Sequence, residues 1–208
     1  MAYSTRNTKP YSPGQKDPFK VSRTKIEDFH NCPRCFWLDR RMKITRPSSP
    51  PFNINKAIDE LFKKEFDYYR KKDEQHPLQV EFGVDAKPYA HKDLDQWRHN
   101  FTWVQALHAP TNLLVFGAVD DIWVNPEGEL IVVDYKATAK TGEITDLGPV
   151  GGWQDTYRRQ MEVYQWLLRQ NGFAVSDVGY FVYANGDASK EHFKNIIGQL
   201  QIRNFGGT

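Results

Sequence analysis

The sequence predicts an α/β domain in which a mixed β-sheet is flanked by helices, with the core order α-β-β-β-α-β. Three observations predict it. Ile54, Ile58, Leu61, Phe62, Phe66 and Tyr69 recur at helical spacing across residues 53–72. Three strand-length runs rich in Val, Ile, Leu, Phe and Trp follow at 102–108, 113–124 and 129–137. A second helix over 154–169, with Tyr157, Met161, Tyr164 and Leu168 on one face, then leads into a strand at 177–184. A sheet covered by helices on both faces buries all of these apolar stripes at once.

The other elements follow in chain order. Residues 1–20 hold Pro10, Pro13, Gly14 and Pro18 without apolar periodicity and read as a disordered arm. Ser22 is placed to cap a short helix carrying Ile26 and Phe29, and Pro33 suits the first turn of the next, with Phe36, Trp37 and Leu38. Arg46-Pro-Ser-Ser-Pro-Pro51 ends that helix before the long one begins. A further short helix is expected near residues 93–98. Asn125-Pro-Glu-Gly128 is turn chemistry that closes a hairpin between the second and third strands. A Gly-containing loop spans 141–152, and after Gly186 no final element is legible, as though a longer protein were cut short.

Composition narrows the function. The 208 residues suffice for one domain over 21–208, with 39% apolar and 26% charged residues, an ordinary balance for a folded chain. No apolar run approaches the roughly 20 residues that a membrane helix needs, so no membrane partner is expected. The polar N-terminus offers no signal-peptide core and two cysteines make no disulfide framework, which reads as cytoplasmic. Residues 1–46 carry 11 Lys/Arg against 4 Asp/Glu, whereas the rest carries 17 against 22. A basic entry beside an acidic body suits a protein that attracts a polyanion and holds a cation elsewhere; a solvated basic face is the plainer alternative.

The chemistry gathers on two neighbouring strands. Leu130-Ile-Val-Val-Asp134-Tyr135-Lys136 is apolar enough to be buried on both faces, yet ends in a carboxylate and an amine on the same face. Taken alone, Asp134 and Lys136 form a structural ion pair. Gly117-Ala-Val-Asp120-Asp121 adds two carboxylates in the preceding run. If 125–129 connect the strands, Val124 faces Leu130 and Asp120 falls opposite Asp134. Opposed like charges destabilise a sheet and raise each other's pKa. A divalent cation resolves the conflict, since Mg²⁺ is commonly held by one or two carboxylates plus waters and phosphate oxygens. Lys136 would then polarise a water or a scissile phosphate.

Gly117-x-x-Asp120, Asp134-Tyr135-Lys136 and Gln160-x-x-x-Tyr164, in that order, resemble the core of the PD-(D/E)XK nuclease superfamily. The resemblance is to its RecB-like branch, which includes CRISPR-associated RecB-like exonucleases. The run Ser22…Cys32-Pro-Arg…Phe36 is similar to the start of those proteins. The resemblance implies a restriction-endonuclease-like fold, Mg²⁺ or Mn²⁺ as cofactor and a nucleic-acid substrate, DNA in the first instance. It implies Asp120 and Asp134 as metal ligands with the Tyr135 main-chain carbonyl, and Lys136 as the catalytic lysine. Gln160 and Tyr164 would border the active site, although Tyr164 also fits the helix's apolar stripe. Arg158 and Arg159 would touch phosphates or lie on a solvated surface. RecB-like relatives often place a metal-binding His on the first long helix, where this chain offers Asp59 instead, with Glu60 and Glu65 as other acids nearby.

His30-x-Cys32-Pro-Arg-Cys35 admits a zinc site completed from elsewhere, a Cys-x-x-Cys redox pair, or structural cysteines. No cysteine follows Cys35, so an iron–sulfur cluster with four cysteines of one copy is excluded as written. Three functions therefore stand: a metal-dependent nuclease, a catalytically silent nucleic-acid-binding module of the same fold, and a thiol redox or zinc protein.

Overall fold

Nine residues, Leu130–Thr138, form the longest strand, and its alternation organises the molecule. The computed structural model describes residues 9–47, 53–99, 102–139, 147, 150–186 and 200–206, the last as backbone. The helices are α1 (Arg23–Asn31), α2 (Pro33–Met42), α3 (Asn53–Lys72), α4 (Pro77–Glu81), α5 (Leu94–Arg98) and α6 (Asp155–Gln170). The strands are β1 (Phe19–Ser22), β2 (Lys87–Pro88), β3 (Val104–His108), β4 (Leu113–Gly117), β5 (Asp121–Val124), β6 (Leu130–Thr138), β7 (Val178–Asn185) and β8 (Leu200–Gly206).

The strands make two sheets. One runs β2-β5-β6-β7-β8, antiparallel except for the β6–β7 pair, and the other runs β1-β4-β3. Parallel neighbours need a crossover, and α6 supplies it between β6 and β7. Leu130 and Val132 point to the α6 side and join Met161, Leu167 and Leu168 in one core. Ile131, Val133 and Tyr135 point the other way and join Phe62 and Phe66 of α3 in a second core. Each such fully buried side chain contributes about 1.5–3 kcal/mol of transfer free energy. The architecture is therefore the restriction-endonuclease-like α/β arrangement, with β6 covered on both faces.

Several elements depart from the sequence reading. The run 113–124 is not one strand: β4 ends at Gly117, β5 starts at Asp121, and the chain changes sheets between them. Apolar content continues through such a corner, so periodicity does not reveal it. The arm expected over residues 1–20 is ordered from Lys9 onward. Tyr11 N donates to Arg40 O at 2.9 Å, the Tyr11 ring meets Phe19 edge-on, and Asn112 Nδ2 donates to Gln15 O at 3.0 Å. Phe19–Ser22 then pairs parallel with Leu113–Phe116. These anchors are distant in sequence, so a Pro- and Gly-rich segment reads as loose when it is docked; residues 1–8 lie outside the described residues. Two short elements, α4 and β2, have no sequence signal, and β8 supplies an antiparallel partner for β7 where no final element is legible. Most of the loop at 141–152 lies outside the described residues. Among the described residues no helix is long and apolar enough to cross a membrane.

Candidate active site

The β5–β6 hairpin pairs Val124 with Leu130 and Asp121 with Val133, the register that a connection over 125–129 requires. One residue before that ladder, Asp120 meets the next stretch of β6: Tyr135 N donates to Asp120 Oδ2 at 3.0 Å. Asp134 is 1% exposed. Its Oδ1 accepts from Gln160 Nε2 of α6 at 2.5 Å, and its Oδ2 pairs with the Lys136 ammonium but takes no aligned hydrogen bond. Lys136 Nζ also lies 4.6 Å from the centre of the Tyr157 ring. The structural ion pair and the carboxylate cluster thus coexist.

The electrostatics of this cluster are in conflict. Burial, then the neighbouring Asp134, pushes the Asp120 carboxyl up to about 7, against the pull of Lys136, Lys63 and the Tyr135 amide. Burial disfavours the Lys136 ammonium, but Asp134 and Asp120 outweigh it and hold the amine above its usual value. Asp59 of α3 is raised by burial and by Asp120, while its partner Lys63, 2.7 Å away, acts in the opposite sense. Asp59 Oδ1 is buried without a hydrogen bond. Asp59 and Asp120 line a cleft of about 750 Å³ together with Gln160, Tyr164, Arg23 and Lys56.

Among the described residues no three His, Cys, Asp or Glu side chains converge as a complete metal-binding group. The residues present nonetheless fit a hard divalent cation. Mg²⁺ needs only one or two carboxylates with waters, and here acidic oxygens are desolvated together with too few donors.

Tyr164 is 5% exposed, with its pKa raised chiefly by burial. Gln160 Nε2 approaches its hydroxyl at 3.5 Å, and the ring packs in the core beneath α6 while also lining the cleft. The Tyr164 ring occupies the space where residue 117 would carry a side chain: a Cβ there would stand 2.5 Å from Tyr164 Cε1. Gly117→Ala is therefore expected to destabilise the protein by about 1–3 kcal/mol through overpacking. Thermal unfolding measures that loss, and an unchanged Tm would refute the close packing.

A profile of the PD-(D/E)XK nuclease superfamily matches residues 53–199. The chain belongs to this superfamily. Its members are typically nucleases, which implies a nucleic-acid substrate. No curated protein matches the chain.

Other candidates of this PD-(D/E)XK nuclease superfamily chain fall differently. Arg159 forks onto Glu27 of α1 at 2.9 and 2.7 Å, and Arg158 pairs with Asp155 at 2.5 Å, so both arginines engage protein carboxylates. Glu65 pairs with the buried His76 at 3.0 Å, whereas Glu60 lines the cleft. Cys32 caps α2, its Sγ accepting from Cys35 N at 3.3 Å; both side chains are half-buried and neither is in a disulfide. No metal-binding group of three includes them among the described residues.

Sequence reasoning missed the partners of Asp121. This side chain is fully buried, accepting from Arg98 Nη2 at 2.5 Å and from the Tyr135 hydroxyl at 2.6 Å, and it pairs with Arg70. Arg70 also donates to Tyr89 O at 2.8 Å, and Arg98 pairs with Asp67 at 2.8 Å. The Asp-Asp dipeptide signals that one carboxylate must face away from Asp134, but nothing local names its two arginines.

Proposed function

We propose that this chain is a RecB-like, Mg²⁺- or Mn²⁺-dependent nuclease that hydrolyses DNA phosphodiester bonds, in DNA repair, recombination or defence. The observation that carries this reading is the meeting of Asp120, just before β5, with Asp134 and Lys136 in the middle of β6, with Gln160 of α6 holding Asp134. Family membership supports the hydrolase class. The RecB-like assignment rests on Gln160 and Tyr164, one helical turn apart and facing the carboxylates.

Asp120 and Asp134 would hold the metal ion, with the Tyr135 main-chain carbonyl and Asp59 as further oxygen donors. When bound, the ion supplies Lewis-acid activation of water and neutralises charge developing on the phosphate. Gln160 fixes the rotation of the Asp134 carboxylate by holding Oδ1, which leaves Oδ2 toward Lys136. Paired with Asp134 and set over Tyr157, Lys136 acts as a proton-bearing cation. It donates to a phosphate oxygen or fixes the attacking water rather than removing a proton.

Incubation with linear and circular, single- and double-stranded DNA in Mg²⁺ or Mn²⁺ tests the reading. Metal-dependent cleavage supports it; binding without cleavage makes the chain a silent module of the same fold. Absence of both, with thiols that oxidise readily, turns attention to Cys32 and Cys35.

Asp59 gives a sharper check. Asp59→Ala is expected to weaken metal affinity, and Asp59→His to retain Mn²⁺-supported cleavage better than Mg²⁺-supported cleavage, because imidazole suits transition metals. Metal titration of cleavage measures both. An unchanged metal dependence in Asp59→Ala would leave that carboxylate as a helix-face partner of Lys63, worth only about 0.2–0.5 kcal/mol.

A further inference from the structure

The cations around the cleft divide into two kinds. Lys63 is paired with Asp59, and Arg98 with Asp67 and Asp121. Lys136, at the carboxylate cluster, is paired with Asp134. Arg23 and Lys56 also line the cleft, and neither has a carboxylate partner among the described residues.

Arg23 is the more constrained. It opens α1 directly after Ser22, whose Oγ accepts from Lys25 N at 3.3 Å and so fixes the start of the helix. Its side chain passes Gly117, where an added Cβ would lie 3.5 Å from Arg23 Cβ, and reaches the Tyr164 hydroxyl. Its Nε is buried without a hydrogen-bond partner. A guanidinium carries five donors in a planar fork that matches phosphate oxygens. Leaving such a donor unmet in a desolvated wall costs free energy unless a ligand completes it. Arg23, Tyr164, Gln160 and Asp134 form a continuous relay of contacts, so the guanidinium stands two side chains from the carboxylate cluster.

We propose that Arg23, assisted by Lys56 on α3, is a binding subsite for a substrate phosphate other than the one being cleaved. This inference rests on the nuclease reading above and names how a strand is held in the cleft. The phosphate is either an internal phosphodiester or the terminal phosphate of a strand end. Asp120, Asp134 and Lys136 then serve the scissile group, while Arg23 sets which neighbouring phosphate can sit beside it. An Arg–phosphate contact of this kind positions the strand without reading its sequence.

The test is binding of fluorescent single-stranded oligonucleotides, with a 5′-phosphate, a 3′-phosphate or neither, in EDTA so that metal-dependent hydrolysis is suspended. Wild type is compared with Arg23→Gln, Arg23→Lys and Lys56→Gln across a salt series. Arg23→Gln is expected to weaken binding about tenfold or more. It should also reduce the slope of log K against log salt by about 0.7, one phosphate's share for a single strand. Arg23→Lys, which keeps the charge, should recover most of the slope. Exposed Lys56 tolerates substitution, and Lys56→Gln should lower the slope as well. A loss confined to one phosphorylated end identifies a terminal phosphate, and an equal loss on every probe identifies an internal one. An unchanged affinity and slope in Arg23→Gln, with wild type binding normally, overturns the subsite alone. If wild type binds no strand in EDTA, the subsite falls, and cleavage with Mg²⁺ or Mn²⁺ alone decides the nuclease reading.

Discussion

Asp134→Ala is expected to reduce metal-dependent cleavage to background, and Lys136→Ala to lower it by about 10²–10³-fold, the cost of removing one preorganised donor at a developing charge. Single-turnover cleavage of a DNA substrate measures both, and near-normal turnover in either variant would overturn the site. Stability separates the two roles. In the metal-free protein the Asp120 carboxyl titrates at about 7 rather than at its usual 3.8, so the folded state retains a proton that the unfolded state has released between those values. The Asp120 contribution to wild-type stability is therefore expected to fall as pH rises from about 4 to about 7, against the opposite contribution of His76, whose pKa burial lowers. Saturating Mg²⁺ should flatten that decline, because binding only the folded state adds about 2.7 kcal/mol at one hundred times the Kd. Asp134→Ala relieves the crowding around Asp120 and should weaken both the pH dependence and the Mg²⁺ effect. Denaturant titrations of both proteins across pH with and without Mg²⁺ decide the matter; a metal-free wild-type decline no greater than that of Asp134→Ala contradicts it.

The second expected result separates two adjacent carboxylates. Asp121→Ala should destabilise the protein by about 3–5 kcal/mol, because it leaves two buried guanidiniums with only the partly exposed Asp67 and the Tyr135 hydroxyl without its acceptor. That is a large part of the stability of an ordinary domain. Asp120→Asn should leave folding intact while abolishing cleavage. Urea unfolding and cleavage assays on the two variants expose the contrast, and the opposite ranking would mean that the roles are exchanged.

The separation of Asp120 from Asp121 is legible in the amino-acid sequence. A five-residue connection sets the hairpin register, and a strand period of two sends neighbours to opposite faces. The helix over 53–72 is legible because a 20-residue stripe leaves little ambiguity. What stays hidden depends on distant partners. Arg159 reads as free to meet phosphate because Glu27 lies 132 residues earlier. Strand β1 reads as a loose arm because its four residues gain meaning only beside β4. Asp59 is legible as an acid at the edge of the α3 stripe, whereas nothing local singles out Arg23: its significance arises from Gly117 and Tyr164, brought to it by other elements.

The two aspartates also carry a consequence for how the protein can fail. One peptide bond separates the carboxylate that lines the cleft from the carboxylate clamping α3 and α5 to the sheet. A one-residue slip of the hairpin would turn Asp121 toward Asp134 and expel Asp120 into the aromatic core of Phe62, Phe66 and Trp123. Arg70 and Arg98 would lose their buried counter-ion in the same movement and keep only the partly exposed Asp67. Misalignment therefore produces an unfolded chain, open to proteolysis, rather than a well-folded protein with a scrambled cleft. Correct assembly of the site and survival of the molecule are a single event.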